Sequence, residues 1–525
     1  MTLLGLFVAS LLLWNEIFDY GDASAAAPNP APAALYPYYF PLVRRAFAPP
    51  VPSPYDWLQF GFDSKHSGND VLETWITPNT VASLQMLFQV PLPNVADGAP
   101  AFLAGVTTPG GKRDLVFVTT KAGHIIALDA HTGATMWSHQ YGPGSCISSN
   151  GGVCYTTSSP AIDPNRQYVY SYGLDGYVHK YAVGDGTETT TGGWPELTSL
   201  KPWNEKGSSA LAIATAQNGT SYLYVAHAGY PGDRGDYQGH VTAINLADGS
   251  QNVFNAVCSD QAVHFVETPG TPDCAQVQTA IWARPGVVYD PAIDKIFMAT
   301  GNGTFAPASH AWGDTVFSLN PDGTGSGGNP LDTWTPTNYQ QLQNGDADIG
   351  STAPAILPPS SGKYSHLGVQ SGKDGVLRLL NLDDLSGQGA AGHTGGEVFS
   401  MNMPIGGGVY TTPAVWVNPD DNSTWVFVAN GYNSGLAAFK LVIDGSGNPS
   451  LQTQWTRSGG TSPIVANGIL FFARSNLISA LDPTSSSLLW SDNHIGGIHW
   501  ESPIVASGIL YITDESGHLT AYAAP

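Results

Sequence analysis

The sequence predicts an all-β protein, an eight-bladed β-propeller of four-stranded blades, and three observations lead to this prediction. Only 11% of the 525 residues are charged, whereas Gly (61) and Pro (39) are abundant and aromatic residues reach 11%. This composition is typical of many short strands joined by tight turns. In addition, one pattern of strands and glycine turns recurs along the chain, and its last copy stops before a final strand.

The recurring unit is an apolar strand, a short turn with glycine, a second strand ending near Leu-Asp or Leu-Asn, another turn and often an aromatic residue. Its clearest copy runs from Leu115 to Trp137. The other copies span residues 168–194, 222–254, 296–334, 367–399, 425–455, 469–490 and 510–522. Self-similarity at a spacing of about 35–60 residues indicates propeller blades.

The eighth copy lacks its outer strand. An open sheet edge is a site for unwanted pairing, so closure of the ring requires another segment there. The run Leu84 to Val90, upstream of the first complete blade, has the character of that missing strand. We predict that it completes the last blade and makes residues 82–525 one cooperative domain.

The N-terminal region predicts export. An apolar run from Leu3 to Trp14 has the length of a signal peptide, and Ala23-Ser24-Ala25 matches its cleavage site. We assign residues 1–25 to the signal peptide, 26–56 to an Ala/Pro-rich tether and 57–525 to the propeller. An uncleaved N-terminal anchor is the alternative, although the run is short for a membrane span and no other stretch qualifies. The expected location is therefore secreted or periplasmic, with no transmembrane span in the mature chain.

Four cysteines agree with export. Cys146 and Cys154 lie close together in the sequence, as do Cys258 and Cys274. Two local disulfides are the simplest interpretation. No Cys-x-x-Cys-His run is present, which excludes covalent haem attachment through that motif.

The net charge of −22 bears on partners. Such a surface repels phosphate backbones and anionic lipid headgroups, so nucleic acid is not an expected partner.

The repeat resembles that of pyrroloquinoline-quinone (PQQ) proteins. The phrase Ala127-Leu-Asp-x-x-Thr-Gly-x-x-x-Trp137, echoed between Ala480 and Trp490, looks like the PQQ-type repeat of quinoprotein alcohol dehydrogenases and outer-membrane assembly lipoproteins. The resemblance covers about Trp57 to Ala523 and is specific for fold rather than for function. The tryptophans that end five copies are expected to pack between blades: Trp137, Trp194, Trp334, Trp455 and Trp490.

The resemblance implies a calcium ligand and a catalytic base in the fourth and fifth blades. Asn302 follows Ala-Thr-Gly in a run similar to the one whose Asn binds calcium in the dehydrogenases, and an amide oxygen suits that metal. A left-handed Asn-Gly turn is the structural alternative. Asp348 matches the carboxylate that takes the proton of the alcohol while hydride passes to PQQ. Capping a turn or binding a structural cation is the alternative for Asp348.

The same resemblance implies two cofactor contacts and two further metal ligands. Lys373 matches the turn whose basic residue contacts the quinone oxygens, although the same hairpin position also holds Lys121 in the first blade. Trp282 is the candidate aromatic on which a flat cofactor stacks, but its spacing differs from the family pattern. The third-blade loop offers Asp233 and Asp236 where the dehydrogenases have a Glu ligand. The adjacent Cys-Cys pair of many family members is absent.

Two functions remain open from the sequence. One is a PQQ- and calcium-dependent oxidoreductase acting on an alcohol or sugar as a small-molecule substrate, in which the cofactor carries the hydride chemistry. The other is a non-catalytic extracytoplasmic propeller that binds a protein or a glycan through loops on a rigid disc.

Overall fold

A computed structural model describes residues 54–142, 146–266, 273–431 and 435–525 of the chain. The predicted signal peptide and nearly all of the predicted tether lie outside these ranges, and residues Pro52–Pro525 fall in one compact unit. Within the described ranges, no helix has the length and apolar character needed to cross a membrane.

The predicted all-β, eight-bladed architecture is confirmed. Each blade is an antiparallel meander, and the first strands of neighbouring blades contact one another around the axis. The strands of blades 1 to 4, in chain order within each blade, are Ala101–Thr108, Gly111–Thr119, His124–Asp129 and Thr135–Gln140; Ala161–Ile162, Tyr168–Tyr172, Tyr177–Ala182 and Glu196–Leu197; Ala212–Thr215, Ser221–Gly229, His240–Asn245 and Gln251–Asn255; and Val288–Asp290, Lys295–Ala299, Val316–Leu319 and Asp332–Trp334.

Blades 5 to 8 repeat this arrangement. Their strands are Ala355–Ile356, Leu367–Gln370, Val376–Asn381 and Phe399–Asn402; Ala414–Val417, Thr424–Ala429, Leu436–Ile443 and Pro449–Arg457; Ile464–Ala466, Ile469–Arg474, Leu477–Leu481 and Leu488–Asp492; and Ile504–Ala506, Ile509–Thr513, His518–Ala523 and Gln85–Pro91.

Short elements decorate the connections. Asn69–Asp70 pairs with the first strand of blade 7, Glu205–Gly207 pairs with the second strand of blade 3, and Phe305–Ala306 pairs with Ala311–Trp312. The described helices are one α-helix and three 3-10 turns: Tyr339–Gly345, Val81–Ser83, Pro307–Ser309 and Ile349–Ser351.

Blade 8 is built from both ends of the described chain. Strand Gln85–Pro91 pairs antiparallel with His518–Ala523, so that Gln85 lies opposite Ala523 and Pro91 opposite His518. The strand precedes the first blade in sequence and therefore joins the beginning of the ring to its end.

The repeat tryptophans connect neighbouring blades. The indole N–H of Trp137 donates to the Val183 carbonyl at 3.0 Å, that of Trp455 to the Pro483 carbonyl at 2.9 Å, and that of Trp490 to the Leu84 carbonyl at 3.0 Å. Each bond joins the outer strand of one blade to a segment of the next. The predicted packing role is thus confirmed for these three residues.

Residues 55–70, here called the axial segment, cross the ring near its axis. Their backbone and side chains bond in turn to the first strands of blades 1, 2, 3, 4, 6 and 7. For example, the Ile162 N–H donates to the Leu58 carbonyl at 2.8 Å and the Val465 N–H to the Gly68 carbonyl at 2.7 Å. Tyr55 reaches the first turn of blade 8, where its N–H donates to Ser507 Oγ at 2.9 Å. The axial segment therefore closes one end of the central channel.

Both predicted disulfides are present, Cys146–Cys154 in the connection after blade 1 and Cys258–Cys274 in the connection after blade 3. These connections lie on the face opposite the axial segment, together with the turns between the second and third strands of every blade. We call this the loop face.

Three histidines pack together inside and beside blade 3. The rings of His227 and His240 are 4.5 Å apart, and His264 lies 5.7 Å from His240. Burial, reinforced by His240, lowers the pKa of His264 to about 3. In an unfolded chain an imidazole titrates near pH 6.5 and takes up a proton that folded His264 does not, so its contribution to stability is lost as the pH falls from about 6.5 towards 3.

Replacing His264 with Gln should remove this acid sensitivity. When the pH is lowered from 7 to 5, the unfolding free energy of H264Q is expected to increase by about 1–2 kcal/mol relative to that of wild type. Urea titrations at each pH measure it. H131Q is the control, and its stability relative to wild type should change with pH in the opposite direction. The hydrogen bond to Asp114 raises the pKa of His131 and therefore stabilises the fold at low pH. A pH-independent difference for H264Q would contradict the assignment.

Candidate functional site

A cavity of about 570 Å³ opens on the loop face around the axis. Its wall comes from two kinds of segment, the connections that enter the first strands and the turns between second and third strands. Residues from blades far apart in sequence therefore meet here. The lining residues are Asp97, Lys121, Tyr155, Thr157, Lys206, Ser208, Ala228, Gly229, Tyr230, Pro231, Gly232, Asp233, Ala280, Trp282, Asn302, Asp346, Asp348, Lys373, Tyr410, His499 and Trp500.

One side of the cavity, the acidic pole, consists of Asn302, Asp346, Asp348 and Lys373. The backbone N–H of Asn302 donates to Asp348 Oδ1 at 2.5 Å, and its side-chain amide donates to Asp346 Oδ1 at 2.9 Å. The Lys373 ammonium contacts both carboxylates, with 2.7 Å to Asp346 Oδ1. Because the helix Tyr339–Gly345 ends at Asp346 in a left-handed conformation, the two aspartates are turned towards the Asn302 and Lys373 turns.

Electrostatics at this pole favour a basic carboxylate beside a fixed cation. Burial raises the pKa of Asp348, and the neighbouring Lys373 ammonium opposes that rise. Burial alone would lower the pKa of Lys373, but Asp348 and Asp346 together raise it, so Lys373 stays charged. Behind them, burial raises the pKa of Asp314 to about 8, and one of its oxygens has no hydrogen-bond partner among the described residues.

Aromatic rings form the wall between the two ends of the cavity. Trp282 lies 6.0 Å from Tyr410, which stacks on Trp500 at 5.8 Å. The Lys373 ammonium lies 5.4 Å from the centre of the Trp282 ring. Gly301 fits closely against these groups, because a Cβ there would come within 2.7 Å of Asp348 Oδ1 and 3.1 Å of Trp282 Nε1. A flat ligand could therefore lie against Trp282 with its edge near Lys373.

The opposite side of the cavity, the basic pole, contains Lys121 and Lys206. Lys121 Nζ lies 3.2 Å from Asp97 Oδ2 and 2.7 Å from Glu515 Oε1, and His499 Nδ1 lies 2.8 Å from the same Asp97 oxygen. Oxygen and nitrogen atoms of Asp97, His499 and Glu515 come within 4.8 Å of one another. The Lys121 ammonium already supplies the positive charge for this group.

The structure brings most of the sequence-predicted site residues together. Asp348, Lys373, Trp282, Asn302 and Asp233 all line the one cavity. Asp233 accepts a hydrogen bond from the Tyr237 hydroxyl at 2.7 Å.

Asp236 lies outside the set of lining residues. It pairs instead with the buried Lys201 ammonium at 3.2 Å and with the amide of Gln238. The irregular loop between Gly229 and His240 turns the two aspartates to different partners.

Sequence reasoning missed Asp97 and Lys206. Neither Asp97 nor Lys206 belongs to a motif, and only the ring geometry brings them to the axis. The sequence did indicate Lys121, because it occupies the same hairpin position as Lys373. In the structure Lys121 pairs with Glu515, which occupies the same hairpin position in blade 8.

The donor set at the acidic pole suits a hard divalent cation. Asn302 Oδ1 is buried and has no hydrogen-bond partner among the described residues, while its Nδ2 is fixed by Asp346. The carboxylates of Asp346 and Asp348 outnumber the single ammonium of Lys373 at this pole. An unpartnered amide oxygen beside excess negative charge is the environment that calcium prefers.

Replacing Asn302 with Leu should weaken calcium binding about tenfold or more, because it removes the unpartnered oxygen. Calcium titrations with the melting temperature as the readout would give the calcium concentration at the midpoint of binding for N302L and for wild type. D236N is the matched control, since Asp236 carries a carboxylate from the same predicted ligand set but does not line the cavity. Equal midpoints for N302L and wild type would show that Asn302 is not a calcium ligand.

Comparison with protein families and curated sequences gives two matches. Residues 75–281 match the family model described as outer membrane protein assembly factor BamB. The chain is 23% identical over 367 residues to an alcohol dehydrogenase (quinone), dehydrogenase subunit, of Gluconobacter oxydans (strain 621H). That match includes 62% of this chain but 43% of the relative, so the chain spans less than half the length of the curated relative.

Solved structures share the fold. A europium-containing methanol dehydrogenase aligns with a TM-score of 0.63 at 13% identity, covering 90% of this chain and 98% of that one. Two quinohemoprotein alcohol dehydrogenases, ADHIIG from Pseudomonas putida HK5 and one from Comamonas testosteroni, align with TM-scores of 0.62 and 0.59 at 12% and 13% identity. Each of these two alignments covers 89% of this chain and 80% of the other.

Proposed function

We propose that this chain, whose repeats and fold are those of the PQQ-repeat β-propeller superfamily, is an extracytoplasmic quinoprotein-type oxidoreductase that oxidises a small alcohol or sugar. The observation that carries the proposal is the convergence of Asn302, Asp348, Lys373 and Trp282 on one cavity. They belong to separate turns and connections of blades 4 and 5. The two disulfides support a location outside the cytoplasm.

Asn302, Asp348 and Lys373 of the acidic pole, together with Trp282 beside it, each have a task in this proposal. Trp282 supports the face of a planar cofactor and Lys373 neutralises negative charge at its edge. Asn302 Oδ1 and the carboxylates of Asp348 and Asp233, which line the same cavity, would hold a calcium ion. PQQ, when bound with calcium, supplies the two-electron acceptor for the hydride of the alcohol carbon.

Asp348 acts as the general base. Its carboxylate is held by the Asn302 N–H and the Lys373 ammonium and lines the cavity, so that a substrate hydroxyl can approach it. Burial makes this carboxylate a better proton acceptor than one in water, while Lys373 keeps it ionised. The wall of aromatic rings restricts water around the substrate carbon.

Reconstitution with PQQ and calcium tests the proposal. We expect quinone absorbance on the protein, a higher melting temperature, and dye-linked oxidation of primary alcohols or sugars that requires both additions. A ligand present at a hundredfold excess over its dissociation constant stabilises the fold by about 2.7 kcal/mol, which a thermal scan detects. An unchanged spectrum together with an unchanged melting temperature would exclude the quinoprotein assignment and leave the binding-platform function.

A further inference from the structure

Lys206 lies in the wall of the basic pole, away from the residues assigned to the oxidation. It is the middle residue of the strand Glu205–Gly207, in the connection between blades 2 and 3. Its side chain faces the cavity although the residue is only 8% exposed. A buried lysine usually carries a carboxylate partner, because burying an unpaired ammonium is costly.

The partners of Lys206 do not stabilise an ammonium in this way. Its Nζ has one hydrogen bond in the described structure, 3.3 Å to Thr157 Oγ1, and the Thr157 hydroxyl itself donates to the Ser208 carbonyl at 2.8 Å. Thr157 is therefore a neutral acceptor for one N–H of Lys206. The face of the Tyr155 ring lies 4.3 Å from Nζ and is the other contact. The nearby Asp97 carboxylate is occupied by Lys121 and His499.

Burial favours a neutral amine at Lys206. Burial lowers the pKa of Lys206 to about 7; the negative charge of Asp97 opposes this, and the positive charges of Arg284 and Lys121 reinforce it. At neutral pH a large fraction of Lys206 is the free amine, whereas a lysine in water, with a pKa near 10.4, is almost entirely protonated. A desolvated lysine beside other cations is a recognised way of activating this nucleophile.

We propose that Lys206 is a nucleophilic amine that captures small aldehydes or ketones in the cavity as a reversible imine. The nitrogen lone pair adds to the carbonyl carbon, and the carbonyl oxygen takes up a proton to give a carbinolamine. The nitrogen then loses its proton and the hydroxyl leaves as water, so that a C=N bond replaces C=O and no electrons are exchanged with another reagent. Thr157 holds one N–H of the amine and leaves its lone pair available to the cavity.

This site does not depend on the proposed oxidation. Capture needs neither the metal nor the cofactor, and Lys206 belongs to a different wall from Asp348. A failed PQQ reconstitution would therefore leave the imine chemistry unaffected, and a failed imine trap would leave the oxidation unaffected.

Reductive trapping tests the proposal. The full chain is incubated at pH 7 with benzaldehyde or acetaldehyde and cyanoborohydride, then digested and mapped by mass spectrometry. We expect Lys206 to be alkylated about tenfold or more faster than Lys112, which is exposed at the start of the second strand of blade 1 and serves as the internal control. The labelling rate of Lys206 should level off above about pH 7–8, whereas that of Lys112 should keep rising.

Two variants make the outcome decisive. K206M keeps an uncharged side chain of similar length but forms no imine, so it should lose the fast-labelled peptide while Lys112 labels as before. K121R removes the neighbouring amine and should leave the Lys206 peptide labelled, which shows that the trap reports on Lys206. Labelling of Lys206 at or below the rate of Lys112, in protein shown to be folded by its melting transition, would overturn the proposal.

Discussion

D348N is expected to lower kcat for dye-linked alcohol oxidation by about 10²–10⁴-fold, the usual contribution of a positioned general base. The amide is close in size to the carboxylate and can still accept the Asn302 N–H, but it cannot take a proton from the substrate. Binding of PQQ, followed by its absorbance, should change little. Steady-state kinetics with the reconstituted protein measure the effect.

D346N provides the matched control for that measurement. Asp346 also contacts Lys373, but its side chain is 69% exposed and turns towards solvent, whereas the Asp348 side chain is 7% exposed. We expect D346N to retain kcat within about tenfold, in contrast to the loss given by removing a base. Full activity in D348N, or equal losses in the two variants, would show that Asp348 is not the base.

R284M is expected to destabilise the propeller by about 3 kcal/mol or more. The buried Arg284 guanidinium donates to the carbonyls of Ser208, Asp97 and Thr157 at 3.0–3.2 Å, and each of these carbonyls precedes the first strand of a different blade. Methionine has a similar length but no donor, so the carbonyls of Asp97 and Thr157 lose this partner, at about 1–3 kcal/mol each when left unsatisfied, whereas the Ser208 carbonyl keeps the Thr157 hydroxyl. Part of this loss of stability is offset because the variant no longer buries a charged side chain.

The midpoint and slope of urea unfolding measure this change. R166M is the control, because Arg166 also donates to a carbonyl, that of Ala104, but sits at the surface with its side chain 48% exposed. Its loss should cost less than about 1 kcal/mol. A midpoint for R284M equal to that of R166M would show that the guanidinium does not hold the blades together.

The sequence alone predicted the ring and much of its acidic pole. The repeat between Leu115 and Trp137 shows its period clearly, since strands and glycine turns alternate with little interruption. Asn302, Asp348 and Lys373 each follow or precede a strand at a recognisable turn. A closed ring brings such turns to the axis, and for this reason residues far apart in sequence could be assigned to one cavity.

Lys206 of the basic pole and the buried Arg284 could not be predicted, because neither belongs to a repeated pattern. Both lie in connections between blades, and residue type alone would place both at the surface. The directions of Asp233 and Asp236 depend on a loop in which Asp233 itself has φ of 50°, a conformation that sequence rarely reveals for a residue other than glycine. Only the packed connections determine which of the two reaches the cavity.

The axial segment also decides how the molecule can be approached. Because it spans the ring at the end remote from the loop face, the cavity is a pit with one mouth rather than a passage through the disc. The described chain starts behind this barrier, where Tyr55 bonds to Ser507. Dissolved molecules therefore approach the cavity from the loop face, past the two disulfide-bonded connections.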